Sequence, residues 1–104
     1  MVKYLLDHGA NVNEIDESNN LPLIIAIKNK NEDIVKLLIE YGVDINESDK
    51  YGITPLIYSI KDINIDILKL LIDSGINVEK SDTSGETPLI HAIKSGNINI
   101  VKCL

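Results

Sequence analysis

The chain has 104 residues, with ten lysines, no arginine and sixteen carboxylates, giving a net charge of −6. An acidic surface without arginine excludes a phosphate-backbone binder, which needs clustered positive charge. A single cysteine excludes an internal disulfide and a multi-cysteine zinc site. The 44% apolar content is enough for a folded core, but with no Phe or Trp that core must rest on nineteen Ile, with Leu and Val.

In chain order, the opening MVKYLLDHGANVNE has no apolar stretch of signal-peptide length. No run of about 18 apolar residues follows, so no membrane span is expected. The expected location is intracellular, most simply cytoplasmic. Gly9 begins a beat of 33 residues that continues at Gly42 and Gly75. Pro22, Pro55 and Pro88 keep the same beat, as do Leu23, Leu56 and Leu89, Asp16, Asp49 and Asp82, and Lys28, Lys61 and Lys94. Residues 17–49 aligned on 50–82 without a gap are identical at 15 of 33 positions. A fixed period of this length means stacked supersecondary units, none of which buries its apolar face alone.

One unit, residues 49–82, can be read locally. Asp49-Lys50-Tyr51-Gly52 is a turn cluster. Thr54 can cap a helix that Pro55 opens, predicted over about 55–62. A second helix is predicted over about 65–74, with Ile67, Leu68, Leu70, Leu71 and Ile72 apolar and Gly75 as its stop. A polar, extended segment then leads into the next turn at Asp82.

The segments GITPLIYSIK…IDILKLLIDSGINVEKSD and GETPLIHAIKSGNINIVKCL resemble ankyrin repeats, whose Thr-Pro-Leu-His-x-Ala signature they nearly match. The resemblance covers essentially the whole chain. It implies an all-α ankyrin-repeat solenoid with two full repeats, 16–48 and 49–81, flanked by partial repeats at 1–15 and 82–104. Some positions depart from the family pattern. The signature His is Ile24, Ile57 and Ile90. The capping Thr of the first full repeat is Leu21, and its turn Gly is Asn19. The Gly between the helices survives only as Gly96, with Lys30 and Ile63 in its place. Ile resists a left-handed backbone, so that connection is expected to differ, with Asn31 or Asn64 serving instead.

No catalytic constellation is present, so no enzyme, metal or cofactor is expected. His8 and His91 fall at different repeat positions and read as surface or packing residues. Cys103 stands where Leu37 and Leu70 stand and reads as a packing residue. No phosphate loop, zincin helix or nucleophile elbow occurs. Asp16, Asp49 and Asp82 most simply begin turns. Lys3/Asp7, Lys36/Glu40 and Lys69/Asp73 are i,i+4 pairs on a solvated outer face. Asn13 and Asn46 sit where repeats of this family are sometimes hydroxylated, though a plain loop role is expected of them.

The resemblance implies a non-catalytic protein-interaction module that binds another protein or peptide segment, with no nucleic acid or membrane partner. The alternative is a regulatory or targeting arm of a larger protein. The family's binding positions, carried over one by one, are Glu17, Ser18, Asn20, Lys28 and Asn29 in the first full repeat. In the second they are Lys50, Tyr51, Ile53, Lys61 and Asp62, and in the third Thr83, Ser84, Glu86, Lys94 and Ser95. Tyr51 and Ile53 suit contact anchors. Lys28, Lys61 and Lys94 would form a positive stripe suited to an acidic segment, or else a solvated face. No polar cap is visible at either end, and Met1 stands at the core position of Ile34, Ile67 and Ile100. A longer array, fraying at 1–8 and 98–104, and end-to-end self-association are therefore expected.

Overall fold

A computed structural model describes residues 2–13 and 20–104. Met1 and the first full turn, with Asp16, Glu17, Ser18 and Asn19, lie outside the described residues. Among the described residues the elements are seven helices: α1 (Val2–Asp7), α2 (Pro22–Lys28), α3 (Glu32–Glu40), α4 (Pro55–Lys61), α5 (Ile65–Asp73), α6 (Pro88–Ser95) and α7 (Ile98–Cys103). No strand occurs among the described residues.

Each short inner helix (α2, α4, α6) begins at a proline of the 33-residue beat, where a missing N–H costs nothing. Thr54 and Thr87 cap α4 and α6, accepting from the Ile57 and Ile90 amides at 3.2 and 3.3 Å. Leu21 makes no such bond; its side chain is buried in the core instead.

The connections within each helix pair correct the sequence reading. Lys30 (φ 56°) and Ile63 (φ 53°) themselves take the left-handed conformation that Gly96 (φ 71°) takes in the third unit. Asn31, Asn64 and Asn97 serve otherwise, each capping the outer helix that follows, α3, α5 and α7. The reason is the way the inner helix ends. In the first two connections, amides at 2.9–3.1 Å close onto the last helical turn, from Lys30 to Ile27, Asn31 to Ala26, Ile63 to Ile60 and Asn64 to Ser59. That pattern requires a left-handed residue after the helix. The local cost of roughly 1–2 kcal/mol is offset by satisfied carbonyls and by the Asn cap behind it.

The helices stack in two rows. Helices α2, α4 and α6 pack in succession to form the inner row, and α3, α5 and α7 form the outer row. Each inner helix also packs on its own outer partner. The core between the rows is aliphatic: Leu23, Ile27, Val35, Leu56, Ile60, Ile67, Leu68, Leu71, Ala92 and Ile100. Ser59 is also fully buried and satisfies itself by donating to the Leu56 carbonyl at 2.7 Å. The stack measures 42 × 25 × 21 Å. On the outer face Lys3 pairs with Asp7 at 3.0 Å, but Lys36 pairs with Glu32 at 3.5 Å and not with Glu40. A Glu one turn before a Lys is the stronger order.

Neighbouring units are also tied by hydrogen bonds on two sides. In the loops after the outer helices, the Asn13 side-chain carbonyl accepts from the Asp44 amide at 3.0 Å, and that of Asn46 from the Asn77 amide at 2.7 Å. The two asparagines thus hold the following unit, a larger role than the plain loop residue expected. At the turn tips, Thr83 donates its amide (3.3 Å) and its hydroxyl (2.8 Å) to the Tyr51 carbonyl. A Cβ on Gly52 would lie 2.7 Å from the Thr83 nitrogen, whereas one on Gly85, in the equivalent turn, would meet nothing within 4 Å. Both glycines have a left-handed φ. Gly85→Ala is therefore expected to cost about 1 kcal/mol through the backbone alone. Gly52→Ala is expected to cost about 1–2 kcal/mol more, because it also separates the tips. Urea unfolding of both variants checks this; equal losses would contradict the role given to tip contact.

Candidate protein-binding face

The candidate face is built from the turn tips and the inner helices. Asp49 organises the central tip. Its Oδ1 accepts from the Tyr51 and Ile53 amides at 2.9 and 3.0 Å, and its Oδ2 accepts from the Tyr58 hydroxyl at 2.7 Å. Burial alone would raise this carboxyl's pKa, but these hydrogen bonds outweigh it and hold it below the ordinary 3.8. Burial, together with the bond to Asp49, pushes the Tyr58 phenol up to about 12.

The third tip repeats the device with different chemistry. Asp82 Oδ1 accepts from the Ser84 and Glu86 amides, and its Oδ2 lies 2.9 Å from His91 Nε2, which donates. Glu86 Oε2 stands 3.5 Å from the same nitrogen, and its other oxygen pairs with Lys94. Atoms of Asp82, Glu86 and His91 that could ligate a metal all lie within 4.8 Å of one another. Tyr58, no counterpart of a histidine ligand, makes the same tie in the preceding unit. The feature shared by the two units is thus the fastening of the inner helix to its tip. Reading His91 as a packing residue overlooks its partner nine residues upstream. The signal that would reveal it is a recurring polar ring nine residues after the tip Asp, Tyr58 after Asp49 and His91 after Asp82.

The candidate residues fall as follows. Glu17 and Ser18 lie outside the described residues. Tyr51 is 61% exposed, with Lys50 Nζ 5.2 Å from its ring centre. Lys28 Nζ stands 4.9 Å over the Tyr58 ring. Lys28, Lys50 and Lys61 are exposed and make no ion pair among the described residues. Lys94 is neutralised by Glu86, so the three-lysine stripe is interrupted at its last member. Asn29 is exposed at the C-cap of α2, and Asp62 is half-buried at that of α4. Asn20 and Ile53 are also half-buried, and Ile53 is bound through its backbone to Asp49. Thr83 and Ser84 are exposed at the tip, but Thr83 is committed to Tyr51. Ser95 is half-buried and donates to the Ala92 carbonyl. Away from this face, the His8 ring stacks on Tyr4 at 4.3 Å, and Cys103 is half-buried against the core.

Paired antiparallel helices recurring every 33 residues, with tips held by a fixed Asp, define a helical-repeat solenoid. A family model described as ankyrin repeats (3 copies) matches residues 42–104, and one described as ankyrin repeats (many copies) matches residues 5–59. The chain belongs to the ankyrin repeat family. Ankyrin repeats are generally protein–protein interaction modules and are typically non-catalytic. No curated protein matches the chain. No helix among the described residues is long and apolar enough to cross a membrane.

A hydrogen bond from His91 holds Asp82 below its ordinary pKa, with backbone amides helping. A lowered carboxyl pKa stabilises the fold fully above the unfolded value of 3.8, and the contribution is lost as the pH falls through the lower folded value. In His91→Ala the Asp82 pKa is expected to return toward 3.8, and acid unfolding to begin at higher pH. Carboxyl-carbon NMR titration with acid-unfolding curves measures both; an unmoved Asp82 pKa would contradict the pairing.

Proposed function

We propose that the chain is a non-catalytic binding module whose concave face, from α2 to the central tip, takes an extended acidic segment of another protein. The observation that carries this reading is the imbalance of free charge on that face. The oxygens of the Asp49 tip carboxylate are occupied by three internal hydrogen bonds, although its charge remains and is felt by Lys28. Lys28, Lys50 and Lys61 remain exposed without ion pairs among the described residues. Two of these ammonium groups sit on tyrosine rings, Lys28 on Tyr58 and Lys50 on Tyr51, which fixes each cation beside an aromatic contact surface. On a molecule of net charge −6, three exposed lysines on one face favour carboxylates arriving in an extended chain. Asp62, half-buried on the same row, sets a limit to the positive stretch.

Tyr51 is the exposed aromatic anchor. Selection from a random peptide library should enrich segments in which acidic residues alternate with apolar ones. Tyr51→Ala combined with Lys61→Glu should weaken the selected peptides at least about tenfold with helical circular dichroism unchanged. Enriched peptides without acidic bias, or unaltered affinity in the double variant, would remove this face from consideration.

A further inference from the structure

Three side chains of the third unit turn atoms that can ligate a metal toward one point. Asp82 Oδ2 lies 2.9 Å and Glu86 Oε2 3.5 Å from His91 Nε2, and the three atoms are all within 4.8 Å of one another. In a tetrahedral zinc site with bonds of about 2.0–2.1 Å, neighbouring ligand atoms stand about 3.3 Å apart. Two edges of the triangle are therefore close to what an ion would set, and a small turn of the Glu86 stem closes the third. The side chains of Asp82 and His91 are only 7% and 9% exposed, and that of Glu86 30%.

Fastening the inner helix to its tip does not account for this set. The second unit makes the same fastening with Asp49 and Tyr58, and Ile53 stands where Glu86 stands in the third. In the first unit the positions of Glu86 and His91 hold Asn20 and Ile25. Only the third unit combines an imidazole with a second carboxylate, and the two carboxylates converge on one ring nitrogen. The position also stays open within a stack. Helix α4 has an inner helix packed on either side, yet Asp49, Ile53 and Tyr58 are half-buried, as Asp82, Glu86 and His91 are. A neighbouring unit packed on α6 therefore leaves the site accessible to a small ion.

We propose that Asp82, Glu86 and His91 bind a divalent transition-metal ion of the zinc type. One imidazole with two carboxylates is a donor set that suits zinc, whereas calcium and magnesium take oxygen ligands. The ion takes the Nε2 lone pair in place of the proton now shared with Asp82, and the imidazole keeps its proton on Nδ1. The two carboxylates balance the charge of the ion. Asp82 Oδ1 keeps the Ser84 and Glu86 amides, which hold the carboxylate in position. Lys94 pairs with the other Glu86 oxygen and does not compete for Oε2. Three protein ligands leave a fourth position for water. The ion replaces a single hydrogen bond between tip and helix with a three-way link.

Calorimetric titration of the chelator-treated chain with ZnCl2 tests the proposal. One ion should bind per chain with a Kd below about 100 µM, and zinc should shift the His91 ring resonances in NMR spectra. His91→Tyr installs the residue of the second unit, which keeps the tie to Asp82 but removes the ligand; it should weaken zinc binding at least about a hundredfold. Glu86→Ile likewise installs the second unit's residue and should weaken binding at least about tenfold. Circular dichroism verifies folding; if His91→Tyr disturbs α6, Glu86→Ile carries the same test. His8→Gln and Cys103→Ser, which remove the other histidine and the one cysteine, should leave binding unchanged. Binding absent up to about 1 mM, unmoved by Glu86→Ile, or lost with His8 or Cys103 would overturn the site. MgCl2 should bind at least about tenfold more weakly than zinc; equal affinity would overturn the class of ion.

Discussion

The structure depends on one contact, repeated: an aliphatic ridge of Leu and Ile on one inner helix pressed against the small and branched residues of the next. Without Phe or Trp, no single side chain supplies a large share of the apolar area, so the rows act collectively. A helix of seven residues cannot hold itself in water, and α2 and α4 have only that length. They persist because each is covered on both sides or tied to a covered neighbour. The 33-residue period is the spacing this contact requires.

The polar groups are arranged so that the contact can repeat. Ser59 is fully buried but satisfied within its own helix, and no buried side-chain polar atom among the described residues lacks a partner. The tip carboxylates gather the amides of their own turns and hold the inner helix through Tyr58 or His91. The tips are thereby stiffened without the signature His that Ile24, Ile57 and Ile90 replace. Tips so stiffened, beside lysines that make no ion pair among the described residues, suit the proposed binding role, since little order has to be created when a ligand arrives.

Much of this is legible in the sequence. Period, proline and glycine place both helices of each unit within a residue or two, because those residues act locally and directly on the backbone. The connections at Lys30 and Ile63 are not legible. Intrinsic preference argues against a left-handed Ile, and only the bonds that close the preceding helix, together with the cap supplied by Asn64, show why it is tolerated. On the candidate face, the exposure of Tyr51 and the lysines follows from the repeat register. The pairing of Lys94 with Glu86 and the half-burial of Ile53 do not, because they depend on side-chain directions that a one-dimensional pattern does not carry.

The ties between units are unevenly distributed along the stack. The first and second full units are joined by the asparagine rung in the loops, the second and third by the threonine rung at the tips, and both pairs by packed inner helices. Helix α1 and the loop after it are tied to the next unit by two side-chain bonds and a few apolar contacts. Under tension applied at its ends, such a molecule behaves as a graded spring: the first coil lets go under slight load, while the stiff middle transmits the pull.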